Sequence, residues 1–515
     1  MLSRRCLPPI HKVSDDVLEV IFSFLVESYP SRPYDRYGYR ANEHEQMGSL
    51  GWIVVTHVCR TWRRVGIEHA KLWADTITVL ATSVKDIGPR TKEVPVVLDF
   101  RLQFIPDDYL YNHFLGAFLH RARVIRDTYE VAASWRESVM AYRVLSGKCL
   151  PSLERLELTY HPIELGFKDT KYATLAALMP FKFDAPSLTY AALTIFIPLV
   201  APRLRVLIVG RDWIFTVPEM VAYLSTFPEL EELRLRLKII DVPTEAATGT
   251  PTVHLPRLRT FTNECDDFSI ARLLQHISFP ATTTVECYLG PKDKLDERDE
   301  HDFYALCRAL SSQLHEGSRT QLIIDYDSAM HLSIAPRSDS LGESLDLPLQ
   351  NGVTLGGGYE LRLEGALATV ASVVTRSVTS LAIRAFRPDE LPVDLAELRK
   401  SFEKLVAVQE LVVRHRAQRI FGALNRALFP ALKQIVIDFK MSEWAENDTH
   451  DKYWFEYLCF MLNMRQQAKY TVVNTVVLRG TRMRRCEGAS QCFVLTDKHL
   501  QYLKSLVGTV IDERV

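Results

Sequence analysis

Alternating basic residues mark the stretch of this 515-residue chain whose side chains suggest a definite chemistry. In Glu232-Leu233-Arg234-Leu235-Arg236-Leu237-Lys238 a strand turns the leucines to one face and Arg234, Arg236 and Lys238 to the other. Arg384, Arg414 and Arg479 take the equivalent place in later copies of the same pattern. A row of guanidinium groups suits an acidic or phosphorylated protein substrate, because Arg meets carboxylate or phosphate through two parallel hydrogen bonds. The plainer reading is that these charges only keep an exposed strand face solvated.

Patterns for catalysis are missing. No G-x-S-x-G, H-E-x-x-H, phosphate-loop lysine or G-x-G-x-x-G motif occurs. Gly356-Gly357-Gly358 is not followed by a helix opening and reads as a flexible turn. The fifteen histidines are dispersed, and the nine cysteines are odd in number with no C-x-x-C pair. Cys486, Cys492 and His499 fit no common zinc spacing. These features imply free thiols in a reducing compartment, no metal and no cofactor. The remaining enzymatic possibility is a site assembled from distant residues.

Hydrophobic content of 47% and charged content of 24% are those of a folded protein, and a net charge of -1 gives no electrostatic footprint for nucleic acid. No leader or membrane-spanning stretch is evident, so a cytoplasmic or nuclear location is expected.

The elements that must position the arginines repeat. A template Leu-x-x-Leu-x-Leu recurs at Leu153/Leu156/Leu158, Leu204/Leu207/Val209, Leu230/Leu233/Leu235, Val378/Leu381/Ile383, Val408/Leu411/Val413, Leu432/Ile435/Ile437 and Val473/Val476/Leu478. Leu188/Ala191/Leu193 and Leu258/Phe261/Asn263 are weaker copies. Helical spacings fill the gaps, as in Phe303, Leu306, Cys307, Leu310 and Leu314, or Leu395, Leu398, Phe402 and Leu405. The chain is therefore read as α/β, strand alternating with helix over 150–515, with loops near 289–302 and 334–358. It resembles the irregular leucine-rich repeats, and roughly nine to twelve repeats are expected. Two separate α/β domains are the alternative.

Residues 1–80 read differently, with 81–149 as a connecting region. The first helix has one polar stripe, Asp15, Glu19 and Ser23, and is apolar over most of its remaining circumference, more than one neighbour needs. Ser14 suits its N-cap, and Asp15 and Asp16 suit the positive end of the dipole. After a Tyr-rich insertion at 27–51, a second helix carries Trp52, Val55, Val58, Cys59, Trp62 and Val65 on one side and Thr56, Arg60, Arg64 and Glu68 on the other. His57 falls on its polar side.

This order, with Leu7-Pro8-Pro9-Ile10 as lead-in and V-T-H-V-C-R-T-W-R-R-V before Leu72-Trp73, resembles the F-box motif in the form met in fungal families. The resemblance covers 7–26 and 52–73; Ser14 stands where the family has proline. It implies a small helical F-box that binds a Skp-type adaptor and, through it, a cullin. The chain would then be the substrate receptor of an SCF-type cullin-RING ubiquitin ligase, not an enzyme itself. The adaptor-binding and motif-forming set would be Val13, Val17, Leu18, Ile21, Phe22, Leu25, Trp52, Val55, Val58, Cys59 and Trp62. The alternative is a repeat scaffold whose helical hairpin only caps the first repeat.

Overall fold

Each leucine template becomes a short strand together with the turn before it, and its apolar positions are buried, from Leu153, Leu156 and Leu158 to Val473, Val476 and Leu478. The computed structural model describes residues 13–31, 49–79, 83–100, 116–129, 145, 147–160, 182–194, 197–210, 214–240, 251–265, 270–289, 297–314, 319–326, 330–336, 353–357, 363–374, 377–386, 395–414, 421, 428–439, 453–467, 472–480 and 495–514. The greater part of the Tyr-rich insertion, 32–48, lies outside the described residues, as do 290–296 and 337–352. The chain divides into two compact units, Met1–Phe215 with Ala222–Leu230, and Thr216–Val221 with Glu231–Val515.

The first unit opens with helix α1 (Asp15–Ser28), a 3-10 helix (Gly51–His57), α2 (Arg60–Glu68) and α3 (Ala70–Thr76). Five parallel strands follow in chain order: β1 (Val96–Asp99), β2 (Ala122–Tyr129), β3 (Arg155–Tyr160), β4 (Tyr190–Leu193) and β5 (Val206–Val209). The sheet thus starts inside 81–149, the stretch read as a connection. Val96 and Leu98 alternate inward as strand residues should, but β1 and β2 lack the leucine spacing that identifies later copies.

In the second unit the strands are β6 (Glu232–Leu235), β7 (Thr260–Cys265), β8 (Thr284–Leu289), β9 (Arg319–Tyr326), β10 (Met330–Pro336), β11 (Val353–Gly357), β12 (Ser380–Phe386), β13 (Glu410–Arg414), β14 (Gln434–Phe439), β15 (Thr475–Gly480) and β16 (Thr509–Asp512). Their spatial order is β6-β7-β8-β11-β10-β9-β12-β13-β14-β15-β16. All neighbours are parallel except where β10 runs against β9 and β11. Helices Ile270–Leu274, Glu297–Ala309, Leu363–Val374, Leu395–Glu403, Tyr453–Gln467 and Asp497–Leu506 lie between strands in the chain. That alternation in parallel register is a leucine-rich-repeat-like, mixed α/β architecture.

Both expected loops hold regular structure. Within 289–302, Glu297-Arg298-Asp299-Glu300 starts a helix that continues through the buried Phe303, Leu306 and Cys307, because acidic residues suit a helix start as well as they suit solvent. Within 334–358, β11 pairs with β8 and β10, so Gly356 and Gly357 are strand residues rather than a free turn; Gly358 lies outside the described residues.

The helices pack on the template face. Trp454 of Tyr453–Gln467 meets Phe439 of β14 edge-on, with centroids 5.8 Å apart. From the same helix the buried Arg465 donates to the carbonyls of Leu428 at 2.6 Å and Phe429 at 3.0 Å. Those carbonyls offset part of the cost of burying the guanidinium.

Candidate interaction surfaces

The N-terminal surface is built over an aromatic core. Phe22 of α1 lies 5.9 Å from the Trp52 ring and 5.8 Å from the Trp62 ring, and Trp52 lies 5.1 Å from Trp73, all edge-on. Trp73 Nε1 donates to the Gly66 carbonyl at 2.8 Å. Gly66 also lets α1 and the 3-10 helix pack closely, since a Cβ there would stand 2.9 Å from the Thr56 methyl and 3.0 Å from the Phe22 ring. The chain re-enters through Trp52 N–H donating to the Tyr29 carbonyl at 2.8 Å. Gly51, at φ +55°, makes that turn against the Pro30 backbone, which no side chain could do without a clash.

The second helix is broken. A 3-10 turn ends at His57, Cys59 is extended (φ -157°, ψ 175°), and the α-helix begins at Arg60. The β-branched run Ile53-Val54-Val55-Thr56 disfavours an α-helix there, and the break rotates the faces. Thr56, expected on the polar side, is buried and donates to the Ile53 carbonyl at 2.7 Å, while Val58 is exposed. Ser14 is extended as an N-cap should be, yet its side chain makes no cap bond; Asp15 instead takes two 2.8 Å bonds from Arg64.

The residues expected to bind an adaptor therefore separate into two groups. Leu18, Phe22, Trp52 and Trp62 are core. Val13, Ile21, Leu25, Val55 and Cys59 are partly exposed, and Val17 and Val58 are open. On α1, Val17, Val20 and Phe24 stand 50%, 55% and 67% exposed at spacings of three and four, which gives the helix a second apolar face. Val54 and Val58, on either side of the end of the 3-10 helix, are exposed as well. Val20, Phe24 and Val54 fell outside the sequence-derived set. The signal for α1 was there: 18/22/25 and 17/20/24 are two separate helical rows.

On the strand surface, by alternation, the residues between template positions face away from the template side. Arg234 is exposed and pairs with Glu232 at 2.7 Å; Arg236 pairs with Glu264 at 2.7 Å; Arg479 pairs with Glu513 at 2.9 Å. Backbones of Lys238, Arg384 and Arg414 lie in strands, but their side chains are outside what is described. In the first unit the same face carries a ladder that sequence reading missed: Arg126 bridges Asp99 at 3.5 Å and Glu157 at 3.3 Å, and Arg155 bonds Glu157 and lies 3.7 Å over the Tyr190 ring.

The guanidiniums whose side chains are described are thus held by carboxylates of their own sheet. Across β9, β12, β13, β14 and β15 the character of this face changes. Ile323, Ala382, Val412, Val436 and Val477 are successive register partners and are only 1–6% exposed. Strands with both faces buried read as continuous apolar runs, as Leu411-Val412-Val413 and Ile435-Val436-Ile437 do.

Burial pushes the Cys307 thiol up and the Cys459 thiol up to about 12, so both are protonated packing groups. Among the described residues no group of three or more His, Cys, Asp or Glu could hold a metal ion, and no helix is long and apolar enough to cross a membrane.

No family model matches the chain, and no curated protein is detectably similar to it. Among solved structures, a leucine-rich-repeat protein of Leptospira interrogans aligns at 12% identity over 70% of this chain and 92% of that one, with a TM-score of 0.19.

Proposed function

We propose that this chain is the substrate receptor of an SCF-type cullin-RING ubiquitin ligase: its N-terminal helices bind a Skp-type adaptor, and its repeats hold a protein target. The observation that supports this best is the second apolar face of α1. Leu18 and Phe22 are buried in the core, whereas Val17, Val20 and Phe24 leave half or more of their surface in water. A contiguous apolar patch of this kind marks a protein-interaction site. The chain would not be an enzyme. Its part is proximity: holding a target beside a ubiquitin-loaded partner raises the effective concentration of the reacting groups. A cytoplasmic or nuclear location belongs to the same reading.

Co-expression of the full chain with a Skp-type adaptor tests it. Wild type should co-purify with the adaptor, and Val20→Asp/Phe24→Asp should not, while its melting curve stays unchanged because both side chains are exposed. A double variant that still co-purifies would remove the assignment of this face.

A second reading has its own observation. Asp75 of α3 pairs with Arg123 of β2 at 3.2 Å, and the Thr78 hydroxyl accepts the Asp99 N–H of β1 at 3.3 Å, so the helices close the first strands as a cap would. Failure of the wild-type chain to bind any adaptor would favour this cap.

A further inference from the structure

On the second unit's non-template row, Arg234, Thr262 and Glu286 are register partners on β6, β7 and β8; Arg234 is exposed, Glu286 partly exposed and Thr262 buried between them. The charged side chains described on this row of the three strands, with Arg236 just beyond β6, are three carboxylates, Glu232, Glu264 and Glu286, and two guanidiniums, Arg234 and Arg236. Each guanidinium is already paired, Arg234 with Glu232 and Arg236 with Glu264, both at 2.7 Å. Glu286 has no hydrogen bond or ion pair among the described residues, although it is partly buried. Partial burial above all makes its charge costly; Arg234 relieves this in part and Glu264 adds to it.

An anionic ligand here would meet guanidiniums whose charge is already balanced by a carboxylate, and would face the acids themselves. An ammonium or guanidinium would supply the missing partner without breaking a pair. Further along the sheet the corresponding row is buried and apolar, which confines the accessible polar face to the earlier strands.

We propose that β6, β7 and β8 receive an extended segment of the partner protein that sets a Lys or Arg side chain on the Glu286 carboxylate. This rests on the reading of the repeats as the target-holding surface. It replaces the acidic or phosphorylated substrate suggested by the arginines alone.

Selection of a displayed random dodecapeptide library on the immobilised full chain tests it, with the winners re-measured on Glu286→Gln and Glu286→Ala. Both variants remove a partly buried charge and should fold, as circular dichroism would verify. The expected winners are rich in Lys and Arg and bind both variants about tenfold more weakly, the scale of one charge-assisted pair. Acidic winners, or basic winners that bind the variants as well as wild type, would overturn the inference and leave the target-holding role standing. No peptide enriched above bare support would instead count against the target-holding surface itself, and the inference would fall with it.

Discussion

Asn263 sits at a template position where Leu235, Ile383, Val413, Ile437 and Leu478 stand in other copies. It is fully buried, and neither its amide nitrogen nor its carbonyl has a hydrogen-bond partner among the described residues. An unpaired buried amide costs roughly 1–3 kcal/mol, so Asn263→Leu, between its register partners Leu235 and Cys287, should raise the urea midpoint or leave it unchanged. A loss above about 1 kcal/mol would show that the amide holds a partner such as an ordered water. Glu286 gives a pH-dependent counterpart. Its folded-state pKa is raised above the ordinary 4.5, so the folded chain holds this proton more tightly than the unfolded chain does. The group therefore favours folding at low pH and opposes it as pH rises through the folded value. Glu286→Gln should be more stable than wild type near neutral pH and lose that advantage below 4.5; equal differences at both pH values in urea titrations would contradict this. The pairing of the arginines was not legible in the sequence, because Glu264 meets Arg236 only through strand register, 28 residues away in the chain.

Whole elements were more legible than their faces. Template leucines fixed where strands lie, since period-two burial leaves few alternatives. Helix α1 was recognisable as too apolar for one neighbour, yet a helix apolar everywhere but one narrow stripe does not say which row looks inward. That ambiguity has a measurable consequence. Phe22→Ala, in the aromatic core, should cost about 3–5 kcal/mol, whereas Phe24→Ala two residues on should stay within about 0.5 kcal/mol. Comparable losses in chemical denaturation would mean that Phe24 is packed. The same contrast divides the strand face. Val412→Asp or Val436→Asp places a charge in a buried row and should unfold the second unit or cost upwards of about 3 kcal/mol, while Arg234→Asp should be tolerated. The apolar middle residues of Leu-Val-Val and Ile-Val-Ile already signalled this. The antiparallel β10 did not show in the same way, because Leu332 and Ile334 alternate without the template's spacing.

At the scale of the molecule, the repeats and the N-terminal helices solve different problems. Repeating strands and helices bury leucines against their neighbours and leave alternate side chains free to vary, which suits a surface that selects a partner. The helices bury one apolar row and keep a second in water. The most direct test is hydrogen–deuterium exchange of the full chain with and without a saturating Skp-type adaptor. Exchange should slow over Asp15–Ser28 and Gly51–His57 and stay unchanged in β6, β7 and β8. Adaptor bound with no slowing in those two segments, or no adaptor bound at all, would contradict adaptor binding by these helices.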